Sequence, residues 1–191
     1  MGKSRLEMFS DGVIAIIITI MVLELRGPHE FSFEALQPLG PKLLSYVLSF
    51  VTIGIFWSHH HHLLHAVHHV NRAVLWANLH FLFWLSLIPS VTAWMGEHQF
   101  HRVPVAVYGA VVLMVGMSYR LLERVLVQFH EKESALARTL GQNLKAWFSF
   151  GAYAAAIPLA FVAEWLTMVI YFGVAALWLL PDKRLEAISG E

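Results

Sequence analysis

Apolar residues run along this chain in long blocks rather than in alternation, the pattern of helices buried on most sides. Arg5, Phe9, Ser10, Asp11 and Gly12 open the first block. A wholly apolar run broken only by Thr19 follows, and Glu24, Arg26 and the stop signal Gly27-Pro28 close it. Phe9 to Leu25 is about the shortest stretch that crosses a bilayer core as a helix. A secretory leader would place a small-residue cleavage site after the run, where this chain has Glu24-Leu25-Arg26, so the block reads as a retained transmembrane helix.

Five more blocks follow, predicting helices over about Leu43 to Leu64, Ala73 to Trp94, Pro104 to Val127, Leu144 to Val162 and Trp165 to Leu180. The second ends in a histidine run, the third carries Pro89 late, and the fourth opens on a proline suited to a first turn. Residues 27–42 hold three prolines and read as an external loop with a short turn around Phe33 to Leu36. His65 to Arg72, Gly96 to Arg102 and the charged Gln128 to Arg138 are connections, and Glu164 marks a tight turn. The predicted fold is all-α: a polytopic membrane protein of six transmembrane helices in a single domain, residues 1–191.

Composition agrees. Of 191 residues 58% are hydrophobic and 14% charged, with mean hydropathy +0.61, whereas a soluble domain carries about 25% charge. Zero net charge removes the basic footprint of a nucleic-acid partner. The chain has no cysteine, which excludes disulfides and thiolate metal sites. No nucleophile–base pairing or phosphate loop points to an enzyme. Lys3, Arg5, Arg72, Arg120, Arg124, Lys132, Arg138, Lys145, Lys183 and Arg184 fall on one side of a six-span topology, and only Arg26, Lys42 and Arg102 on the other. The positive-inside rule then puts both termini in the cytoplasm.

Within the first helix, Ile16, Thr19, Ile20 and Leu23 share one stripe at i, i+3, i+4, i+7. Asp11 lies about 140° away from Ile16 on the same wheel. A carboxylate in a membrane helix faces protein or water, so Asp11 is expected against partner helices, leaving the stripe for another use. The histidines are the other chemical signal: His59 to His62, His65, His68, His69 and His80. His61, His65, His68 and His69 share a helical face with the i, i+4 spacing of zinc ligands. The competing reading is a membrane-edge helix end whose imidazoles satisfy each other and nearby carboxylates, because mid-membrane carboxylates to complete a metal path are missing.

The pattern RxxxFSDG at Arg5, Phe9, Ser10, Asp11 and Gly12 resembles the signature of the transmembrane-protein-175 family, potassium channels of lysosomes and of bacteria. WxxHH at Trp57, His60 and His61 is similar to that family's second helix. The run from Asn71 to Trp94, through Asn78, Pro89 and Thr92, resembles its third, and the segment from Pro158 resembles its last two. The four-histidine run and Ser90 depart from the family pattern. The resemblance implies passive potassium conduction without a Thr-Val-Gly-Tyr-Gly filter, in a homotetramer, since this chain has one six-helix repeat. The first helix would line a central pore with rings of Ile16, Thr19 and Leu23 and with Ile20 beside them. Branched apolar rings gate by dewetting, and threonine hydroxyls replace part of a hydration shell. It further implies that Arg5, Phe9, Ser10, Asp11, Trp57, His60, His61 and Asn78 form a motif set whose hydrogen bonds clamp the pore helix. No cofactor is expected. The implied partners are further copies of the chain, membrane lipids and permeant potassium, in a bacterial inner membrane. The alternative is a six-helix metal-cation or proton-coupled transporter using the histidine-rich cytoplasmic end of the second helix.

Overall fold

In the computed structural model, which describes residues 2–28, 31–65, 69–129 and 144–180, each hydrophobic block becomes helical. The elements are α1 (Lys3–Leu23), a 3-10 turn (Glu34–Leu36), α2 (Leu39–His65), α3 (Arg72–Leu85), α4 (Ile88–Glu97), α5 (Arg102–Phe129), α6 (Leu144–Leu159) and α7 (Glu164–Leu179). Among the described residues there is no strand. The charged connection expected over Gln128 to Arg138 lies mostly outside them.

Three expected boundaries shift, and proline chemistry explains each. Block three is not one helix but two. Pro89 has no N–H to donate to the carbonyl of Leu85, and its ring crowds that carbonyl. The chain therefore turns at Ser86 and Leu87, where Leu87 N–H reaches Trp84 O at 3.2 Å and Ser86 Oγ donates to Phe83 O at 2.7 Å. Conversely, Pro41 and Pro104 sit in first turns, where a missing N–H costs nothing. So α2 starts at Leu39 and α5 at Arg102, earlier than expected. The start of α3 is set by Asn71, whose side chain accepts from Val74 N–H at 2.8 Å as an N-cap. The reversal between α4 and α5 uses positive φ at Gln99 (49°) and Phe100 (61°), with Phe100 N–H closing onto Met95 O at 3.0 Å.

Among the described residues four helical units are long and apolar enough to cross a bilayer: α1, α2, α3 with α4 taken as one span, and α5. The described parts of α6 and α7 are 16 residues each, about 24 Å at helical rise, and pack as a hairpin around residues 160–163. The central element is α5, packed on α3, α4, α6 and α7, while α1 packs on α2, α3 and α4. Burial is correspondingly uneven. Half of the apolar window of α3–α4 and of α5 is buried, against 28% for α1 and for α2, although α1 has the highest hydropathy of the four. The most apolar of the four spans thus leaves much of its apolar surface uncovered by its own described neighbours.

Gly109 on α5 makes room for the side chain of Tyr171 on α7. Tyr171 is fully buried and its hydroxyl donates to Val105 O at 3.1 Å. A Cβ at position 109 would overlap that hydroxyl. Gly109→Ala is therefore expected to destabilise the fold by about 1–3 kcal/mol, read as a lower thermal midpoint in detergent. Adding Tyr171→Phe should restore part of the loss; an unchanged midpoint for the single variant would contradict this packing.

Candidate pore helix and its clamp

Helix α1 has two faces. Leu6, Ser10, Ile14, Ile17 and Met21 are buried against its neighbours. On the other side Ile16 is 59% exposed, Ile20 43% and Leu23 73%, and Thr19 is exposed among them. The Thr19 hydroxyl donates to Ile16 O at 2.9 Å, a back-bond common for threonine in helices. That bond uses the hydroxyl's one proton and leaves oxygen lone pairs to accept.

The inner face is held by a directional chain of hydrogen bonds. Ser10 Oγ donates to Leu6 O at 2.9 Å, and Asn78 Nδ2 of α3 donates to Ser10 Oγ at 3.0 Å. With its nitrogen so engaged, Asn78 offers Oδ1 to His60 Nε2 of α2 at 2.7 Å, so His60 carries a proton on Nε2. All three side chains are buried to within 1%, and the His60 ring stacks on Phe81 at 5.5 Å. Three helices thus meet through one serine, one asparagine and one histidine. Beside them, at the protein edge, Trp57 Nε1 donates to Asp11 Oδ1 at 3.0 Å. Asp11 is half-buried and Trp57 45% exposed.

The other motif residues lie apart from this chain. Arg5 and Phe9 are exposed on α1 and make no hydrogen bond to the cluster. Arg5 is eleven positions before Ile16 and so falls on the same stripe, within about 20°. His61 is exposed, its ring near Trp57, His62 and His65. Of the candidate zinc ligands, His61 and His65 stack at 6.1 Å, His69 is exposed, and His68 lies outside the described residues. Among the described residues no three His, Asp or Glu side chains converge into a group that could hold a metal.

Two polar contacts were not anticipated. Lys3 Nζ donates to His65 O at 2.9 Å, setting a cation at the C-terminal carbonyls of α2 and tying the start of α1 to the end of α2. Ser49, Thr92 and Tyr108 join α2, α4 and α5, with the Ser49 and Thr92 hydroxyls 2.6 Å apart and Ser49 Oγ 3.2 Å from the Tyr108 hydroxyl. Thr92 and the isolated serines of α2 were visible as polar breaks in apolar runs, but a hydroxyl that back-bonds its own helix gives the same signal.

Comparison with known proteins decides the lineage. A family model described as endosomal/lysosomal potassium channel TMEM175 matches residues 5–89. A protein of Chryseobacterium named a potassium channel is 46% identical, with 97% of each chain covered. The chain belongs to the TMEM175 family. Its fold is similar to a crystal structure titled a lysosomal potassium-selective channel TMEM175 homolog from Chamaesiphon minutus, at TM-score 0.74 and 27% identity, covering 93% of this chain and 96% of that one. It is also similar to a chicken protein named an endosomal/lysosomal proton channel TMEM175, at 30% identity over 70% of this chain and 30% of that entire protein. The family match includes α1, α2, α3 and the start of α4, the elements that meet at Ser10, Asn78 and His60. This TMEM175 member is therefore a multi-pass membrane protein.

Removing Asn78 strips two buried partners at once. Asn78→Ala is expected to cost about 1–3 kcal/mol for each group left unpaired, on Ser10 and on His60. Asp11→Ala, at the half-exposed edge, should cost less. Thermal midpoints of the two variants in one detergent check the order, and a larger loss for Asp11→Ala would reverse it.

Proposed function

We propose that this protein is a potassium-selective cation channel, a homotetramer that conducts passively through a four-fold pore lined by α1. The observation that carries the reading is the outer stripe of α1: Ile16, Thr19, Ile20 and Leu23 are exposed on a span that has the highest hydropathy of the four long ones and is only 28% buried. The potassium-channel names of the relatives support the permeant ion. In this assembly four copies of each residue form rings around the axis. Ile16 and Leu23 make the tight points, where branched side chains exclude a hydrated ion. Thr19 supplies the sole side-chain oxygen of the stripe, and its back-bond is compatible with the role. With its proton directed to Ile16 O, each hydroxyl turns lone pairs outward, the polarity a partly dehydrated cation requires.

The remaining parts of the proposal follow from the same frame. The chain makes six spans in one domain, with α6 and α7 as the last pair, both termini are cytoplasmic, and the membrane is the bacterial inner membrane. Ser10, Asp11, Trp57, His60 and Asn78 hold the pore helix and do not touch the ion. Arg5 and Phe9 lie on the outer side of α1 toward the cytoplasmic mouth, and His61 stays on the surface. No catalytic chemistry and no resident cofactor are required.

Potassium flux into liposomes containing the purified protein tests the function. Flux that saturates or needs a proton gradient would favour the transporter reading. Thr19→Val keeps shape and removes the oxygen, so the potassium preference measured as a reversal potential should weaken. Ile16→Asn admits water and should increase current. An unchanged reversal potential for Thr19→Val would assign discrimination to the apolar rings. Native mass spectrometry should give a tetramer; a monomer or dimer would remove the central pore.

A further inference from the structure

A cavity of about 90 Å³ opens between α2, α5, α6 and α7, away from α1 itself. Its lining on α5 runs from Glu123 back to Val112, eleven positions or about 16 Å along the helix. The two ends differ in chemistry. Toward Val112 the walls are apolar, with Leu113, Phe150, Val174 and the small Ala175 among them, and Gly116 admits the edge of the Phe150 ring. At the other end stand Arg120 and Glu123, paired at 2.7 Å. Exposed Arg124 follows Glu123 in the chain, and Lys145 precedes the lining residue Ala146 and donates to Leu180 O at 3.3 Å. Among the described residues, three cations thus stand against one carboxylate at this end. Trp178, hydrogen-bonded to Ser149 at 2.8 Å, and the exposed Trp147 sit at the same level, as interfacial tryptophans do.

A slot that is charged at the level of the headgroups and apolar toward the membrane centre has the polarity of one bilayer leaflet. We propose that it is a lipid site, in which an acyl chain of an anionic phospholipid enters between α5, α6 and α7 while Arg124 and Lys145 hold the phosphate. The partly buried Arg120–Glu123 pair closes the polar end without contributing net charge. One wall of the site is Phe56, the neighbour of Trp57 that binds Asp11, so the lipid packs against the segment of α2 that secures α1.

The test is lipid retention by full-length protein, which is independent of ion conduction. Protein is reconstituted with equal phosphatidylglycerol and phosphatidylcholine, extracted, and weighed by native mass spectrometry. The wild type should retain phosphatidylglycerol. Leu113→Trp, which fills the apolar end, should lose bound phospholipid; if it fails to fold, Ala175→Leu fills the same space. Arg124→Gln with Lys145→Gln should keep a phospholipid but lower the preference for phosphatidylglycerol about ten-fold. Retention unchanged by the filling variants, a headgroup preference unchanged by the double variant, or free fatty acid retained in place of phospholipid would each overturn the proposal.

Discussion

The bond from Asn78 to Ser10, continued to His60, sets the geometry on which the rest depends. Inside a bilayer no water is at hand to satisfy a stray polar group, so three buried polar side chains on three helices hold one mutual arrangement. Each donor in the chain has one acceptor: His60 gives to Asn78, Asn78 to Ser10, and Ser10 to Leu6 O. Turning α1 about its axis by one residue, about 100°, would carry Ser10 off Asn78 and leave the Asn78 amide nitrogen without its acceptor. The face carrying Ile16, Thr19 and Leu23 is therefore presented outward because Ser10 is required inward. Clamp and stripe are one constraint seen from two sides.

Uneven burial follows from the same arrangement. Helix α5 takes the centre and meets α3, α4, α6 and α7, while α1 stays at one edge of the protomer. Among the described residues its outer apolar surface is left uncovered. In the proposed tetramer, a shared axis would give both the branched side chains and the hydroxyl a use. The donor bond of Thr19 to its own helix and acceptance toward a cation are compatible, since they use different parts of one hydroxyl.

Proline shapes the scaffold around this helix. Pro89 divides the third span, so α3 carries Asn78 to the clamp while α4 carries Thr92 to Ser49 and Tyr108. The two polar clusters sit at different depths of the protein, one joining α1, α2 and α3, the other α2, α4 and α5. Helix α2 takes part in both, and through Phe56 also bounds the cavity beside α5.

Much of this was legible in the chain itself. Hydrophobic blocks longer than a dozen residues point to helices, and their order and approximate limits follow, apart from the break at Pro89. The i, i+3, i+4, i+7 stripe of α1 was also readable, because wheel angles depend only on helical geometry. What the sequence left open were choices among chemically equal candidates. His60 and His61 are both imidazoles in the same motif, yet they point about 100° apart; only the packing of α2 on α3 places His60 on Phe81 and Asn78 and leaves His61 outside. Arg5 and Asp11 are both charged residues of one motif, but only Asp11 lies within reach of Trp57. Pro89 marked a disturbance without saying whether the helix would kink or break, since that turns on whether neighbours can satisfy the freed carbonyls. The sequence by itself determined the helices and the faces they carry. The tertiary structure decided which face is covered, because burial belongs to pairs of helices and no single segment contains its partner.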